Sequence, residues 1–147
     1  MQAQMTNDVI RVVVSGGQWP LGKRVIERFK NEGGFEVREV NQSTDAIDSP
    51  LDVFVHLAPG DHDALVERRR SAVIGTPELL HAATVQGAKH IVLLSSAMVY
   101  GAWPNNPIPL TEETALRPDF GFAFARQLAT VEQLVDDWRE SSADRGV

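Results

Sequence analysis

The chain has no cysteine and a single tyrosine, Tyr100. The first absence removes disulfide frames, thiolate nucleophiles and thiolate metal ligands, and it suits a reducing compartment. The second leaves no spare phenol for proton exchange. Basic residues are also scarce: 14 Lys and Arg against 20 Asp and Glu give a formal net charge of -6. The one basic cluster, Arg68-Arg69-Arg70, is short and preceded by Glu67. Nucleic acid is therefore not expected as a partner. No apolar run approaches the roughly 20 residues that span a bilayer. Met1 to Asp8 is polar and lacks the apolar region of a signal peptide. The expectation is a cytoplasmic protein with no membrane partner, and there is neither an internal repeat nor a low-complexity tract.

What is present is one domain's worth of sequence, 147 residues with ordinary globular composition, expected as a single unit with flexible tails at 1–8 and 140–147. Val9 to Val14 is a β-branched run stopped by Ser15-Gly16-Gly17, the pattern of a strand buried on both faces. Leu21, Val25, Ile26 and Phe29 recur at helical spacing up to the stop Asn31-Glu32-Gly33-Gly34. Phe35 to Val40 reads as the second strand and Asp52 to Leu57 as another, with Asp45-Ala46-Ile47 at most a vestigial strand between them. Asp61 to Ala83 reads as helical, with Thr76-Pro77 as an internal restart that divides it in two. His90 to Leu94 is a further strand, Gly101 to Pro118 a loop, and Phe122 to Trp138 an amphipathic helix. Strands alternating with helices predict an α/β fold with a doubly wound parallel sheet.

Three segments carry a resemblance: Val12-Val13-Val14-Ser15-Gly16-Gly17, Asp52-Val53-Phe54-Val55-His56-Leu57-Ala58, and Ser95-Ser96-Ala97-Met98-Val99-Tyr100-Gly101 followed by Thr111-Glu112-Glu113 and a helix opening near Arg117-Pro118. Together they resemble the extended short-chain dehydrogenase/reductase family, the NAD-dependent epimerase/dehydratase group. The resemblance runs from about Ile10 to Val135. It implies a Rossmann-like, three-layer fold truncated before the family's substrate part.

In that family a glycine-rich segment joins the first strand to the first helix, so that backbone N–H groups hold a dinucleotide pyrophosphate. The matching residues here are Ser15, Gly16, Gly17, Trp19, Leu21 and Gly22. Trp19 stands where the second motif glycine is expected, and its bulk obstructs a phosphate. Pro20 restricts Trp19 to extended geometry and removes one of two expected N–H donors. A hydrogen bond to a charged group contributes about 1.5–3 kcal/mol, so that loss alone weakens binding roughly ten- to a hundredfold. Asn41 falls where an acidic residue bonds the adenine ribose, so NAD is not favoured over NADP; a plain turn role for Asn41 is the alternative. The resemblance also puts Leu57, Ala58, Ser95 and Arg126 against the cofactor. The cofactor implied is NAD or NADP, held weakly.

For catalysis the resemblance implies a serine or threonine and a Tyr-x-x-x-Lys pair on the following helix. Ser96 matches the first. Phe122 and Arg126 occupy the tyrosine and lysine positions, and phenylalanine has no proton to exchange. Arg126 keeps a charge, but its planar fork does not reproduce a compact ammonium. On the plain structural reading Phe122 is core and Arg126 a solvated side chain. His56 reads as a packing residue; His62, His81 and His90 lack metal-ligand spacing, so no metal site is expected. Asp61 and Asp63 read as helix caps.

Relatives continue into a further strand and a substrate domain, so the strand at 91–94 is expected at an open sheet edge. Its cover is a second copy, a separate chain, the loop Gly101 to Pro118, or a continuation of the chain. Relatives dimerise through the helices matching 61–83 and 122–138, which implies a homodimer. The leading expectation is a Rossmann-type domain without standard catalysis, serving weak dinucleotide binding or a regulatory interaction. The alternative is an active epimerase, dehydratase or reductase, or the N-terminal fragment of one.

Overall fold

The computed structural model of the chain describes residues 9–40, 47–57, 66–141 and 143–147; the side chains of 66–74 lie outside the description. Four parallel strands, β1 (Ile10–Ser15), β2 (Phe35–Val40), β3 (Val53–His56) and β4 (His90–Leu93), form one sheet in the order β2-β1-β3-β4. Helix α1 (Pro20–Glu32) packs on one face, and α2 (Val66–Val85) and α3 (Ala123–Glu140) on the other. This is the Rossmann-like three-layer arrangement that the alternating pattern predicts.

Helices on both faces explain why the middle of β1, Val12 to Val14, is apolar and buried. Val12 and Val14 join Val55 beneath Val25, Ile26 and Phe29 of α1. Val13 points the other way, into a larger core with Phe54, Ile91, Leu79, Leu80, Ala83, Val135 and Trp138. The register pairs Ser15 with both Val40 and His56, and His56 with Leu93. The strand ends are thereby level, so the loops that leave them share one rim.

One expectation needs correction. Thr76-Pro77 does not divide the second helix: α2 is continuous from Val66 to Val85, with Pro77 inside it. Proline costs a helix interior one backbone bond, but the burial of Leu79, Leu80 and Ala83 on the sheet holds the following turns in line. The tail reaches the edge of β4: Gly146 N donates to Lys89 O at 2.8 Å and Ile91 N donates to Gly146 O at 2.9 Å. Arg145 anchors that tail by donating to Trp138 O at 3.0 Å and lying 4.7 Å from the Trp138 ring centroid. Of Asp45-Ala46-Ile47 only Ile47 is described, outside any strand and buried in the larger core.

The loop 101–118 folds back on a short 3₁₀ turn, Ala97–Tyr100, through Arg117 N donating to Val99 O at 2.9 Å and Trp103 Nε1 donating to Arg117 O at 2.7 Å. Below it a third cluster joins Val99, Phe124 and Leu128, with Tyr100 and Leu116 packed against it. This cluster ties the turn after β4 to the start of α3.

Candidate functional site

The rim at the C-terminal ends of β1, β3 and β4 carries Ser15, Gly16, Gly17, Leu57, Ser95 and Ser96 among the residues singled out in the sequence. Ser15 ends β1, and Gly16 follows with φ +81°, a left-handed conformation that suits glycine. A Cβ on Gly16 would stand 2.8 Å from the Leu57 carbonyl oxygen. At Gly22 a side chain would collide with the Gly16 carbonyl and the Gly17 Cα, so the loop lies directly on α1. At Gly17 it would fall within 2.6 Å of both Glu39 Cγ and Ile26 Cδ1. The three glycines bring bare backbone to one place, the property an anion cradle requires.

Trp19 is the N-cap of α1, extended at φ -84° and ψ 158° as the following proline demands, and Pro20 opens the helix. Trp19 N donates to Gly16 O at 3.2 Å, and Trp19 O accepts from Lys23 N at 2.9 Å. The indole edge lies against the loop's first glycine: its Cδ1 is 3.4 Å from where a Gly16 Cβ would be. The N–H groups of Leu21 and Gly22 belong to the first turn, whose donors have no partner within their own helix. No acidic side chain occupies that turn, which leaves its positive end unneutralised from within. Gln18 Oε1 is buried without a hydrogen-bond partner among the described residues. The glycine cradle and the first-turn donors fit a dinucleotide, while the indole lies beside Gly16 and Pro20 offers no N–H there.

Beneath this loop is a feature that the sequence reading missed. Ser15 Oγ and His56 Nδ1 are 2.6 Å apart, and His56 Nε2 and Thr76 Oγ1 are 2.9 Å apart. All three residues are buried, at 4%, 3% and 0% exposure. Burial lowers the His56 pKa to about 4, so the ring is neutral at physiological pH. It also stacks on Phe54, centroid to centroid 5.4 Å. His56 is thus more than a packing residue. The partners are 41 and 20 residues away in sequence, and no local pattern signals them.

At the end of β4, Ser95 donates a short hydrogen bond to Glu132 of α3, and Ser96 Oγ accepts from Met98 N at 3.3 Å as the cap of the 3₁₀ turn. Glu132 was not anticipated either. Phe122 caps α3 rather than joining its buried stripe: it is 42% exposed, and Phe124, at 5%, takes the core position. The plain structural reading of Phe122 as core is thereby corrected. Its ring meets that of Phe124 edge-on at 5.9 Å. Arg126 follows one turn later and is exposed, its N–H donating to Phe122 O at 3.3 Å. Tyr100 is half-buried against the Val99, Phe124 and Leu128 cluster. Burial, then the charges of Glu132 and Glu112, raise its pKa and make the only phenol harder to ionise.

Asn41, Ala58, Asp61, His62 and Asp63 lie outside the described residues. His81 and His90 are exposed, and no group of three metal-ligating side chains occurs among the described residues.

The model of the NAD dependent epimerase/dehydratase family matches residues 12–147. No curated protein sequence matches the chain. Among solved structures, a short-chain dehydrogenase/reductase superfamily protein from Agrobacterium tumefaciens with bound NAD is 24% identical at a TM-score of 0.74, covering 93% of this chain and 47% of its own. A UDP-galactose 4-epimerase is 20% identical at TM-score 0.73, with 93% and 54% covered. RMD from Pseudomonas aeruginosa complexed with NADPH is 19% identical at TM-score 0.66, with 92% and 52% covered. At these identities the likeness establishes the fold, and the chain spans about half the length of each structure.

Proposed function

Because the chain belongs to the NAD-dependent epimerase/dehydratase family, we propose that it is a nicotinamide-dinucleotide domain that binds NAD or NADP weakly and does not perform the family's standard proton chemistry. The backbone of Gly16, Gly17, Leu21 and Gly22, with Ser15 behind it, would hold the pyrophosphate. Asn41 would bond the adenine ribose, Leu57 and Ala58 would line the dinucleotide, and Ser95 and Arg126 would face the nicotinamide half. When bound, the nicotinamide supplies a hydride acceptor or donor. The observation that carries the reading is at the opening of α3, where Phe122 has no exchangeable proton and the only phenol, Tyr100, is packed against the Val99 cluster.

Titration calorimetry with NAD, NADH, NADP and NADPH tests the binding half. Saturable heats at one site per chain support it, whereas no heat at millimolar ligand leaves a regulatory or interaction module as the better account. A second reading, an active epimerase, dehydratase or reductase with its proton path through Ser96, draws on the Ser96 hydroxyl after β4, next in sequence to Ser95, which bonds Glu132. It predicts nicotinamide-dependent turnover of a sugar nucleotide or other carbonyl substrate that disappears in Ser96→Ala while the fold survives.

A further inference from the structure

The loop that would carry the dinucleotide rests on three buried polar side chains that bond one another. We propose that Ser15, His56 and Thr76 form a positioning chain through which α2 sets the pose of the glycine loop, and with it the affinity of the dinucleotide site. The inference rests on the dinucleotide reading above.

Ser15 and His56 are the last residues of β1 and β3 and are paired in register. The residues that follow them meet as well. Leu57 N donates to Ser15 O at 3.3 Å, and the Leu57 carbonyl stands against the bare Cα of Gly16. Any shift of the imidazole is therefore felt at the first residue of the loop. On its other side the ring is fixed by Thr76, in the continuous helix α2, 2.9 Å away.

The residue types suit this task. A neutral imidazole has one donor and one acceptor, and a hydroxyl can be either, so the chain can satisfy both ring nitrogens without placing a charge in the core. Burying such groups is costly unless every bond is made, which holds the three side chains to one mutual geometry. Burial that keeps His56 neutral at physiological pH supports the arrangement. Thr76 has no exposed surface, and Ser15 and His56 almost none, so none of them meets a ligand directly. Their influence on binding runs through the loop.

The test compares Thr76→Val, which keeps the shape and removes the hydroxyl, with Thr76→Ser, which keeps the hydroxyl. In the wild type, nitrogen NMR of the His56 ring shows one neutral tautomer. Thr76→Val is expected to lose that single tautomer and to speed amide exchange at Gly16, Gly17 and Gln18 by about tenfold, the scale of one hydrogen bond. It is expected to weaken NAD by a similar factor, about tenfold, while Thr76→Ser stays within about twofold of wild type in all three readouts. A merely structural threonine would change the melting temperature and leave the ring tautomer, the loop amides and the affinity where they were; that pattern overturns the proposal. So does a wild-type ring that averages between its tautomers, a result obtained even if Thr76→Val fails to fold. If the wild type binds no dinucleotide, the functional reading fails, yet ring and loop measurements still decide the positioning chain.

Discussion

Pro20 has opposite effects on fold and function. As the first residue of α1 it is preorganised for the helix and holds Trp19 extended, but it offers no N–H to an anion at the helix start. Pro20→Ala is expected to tighten NAD binding about ten- to a hundredfold, the effect of one restored hydrogen bond to a charged group, read by calorimetry. Trp19→Gly is expected to tighten it as well, by freeing the space beside Gly16, and unchanged affinity in both variants would remove the loop from the account. Titration at His56 is also a residue-scale effect. Its pKa falls from an ordinary 6.5 to about 4 on burial, so the unfolded chain takes up the proton first and stability declines as pH drops from 6.5 towards 4. The full effect is on the order of 3 kcal/mol, and urea unfolding across that range checks it. His56→Gln should flatten the slope, because glutamine does not titrate.

Individual elements differed in how far their sequences revealed them. The strands and α1 were legible because β-branched runs and the Gly33-Gly34 stop are local signals, and both sheet faces are covered. The passage of α2 through Pro77 was not, since the burial of Leu79, Leu80 and Ala83 outweighs a local breaker. Pro77→Ala is therefore expected to raise unfolding stability, by up to about 3 kcal/mol, in chemical denaturation. A loss of stability would mean that the helix is built around the proline. In the candidate site, Ser15, Gly16, Gly22 and Ser96 were legible as motif positions. The Ser95–Glu132 and Ser15–His56–Thr76 contacts were not, because they join residues between 20 and 41 positions apart.

For the whole molecule, the strand ends form one rim that carries the bare glycine backbone, the single phenol is half-buried, and the opposite end of the sheet is tied by an ion pair. There Arg11 donates from its side chain and backbone to Asp52, whose pKa falls from 3.8 to about 2. With a lowered carboxylate pKa, the sign again makes acid destabilising, now as pH falls from 3.8 towards 2. At the side of the sheet, deleting residues 145–147 is expected to uncover β4 and promote self-association, visible in light scattering. Among the described residues no helix is long and apolar enough to cross a membrane. The central claim, binding without redox turnover, is tested most directly by following the fluorescence of NADH as it binds the purified chain and as a carbonyl-bearing sugar nucleotide is then added. The account predicts a saturable change on binding and a steady signal afterwards. A decay that depends on the added sugar nucleotide would contradict it.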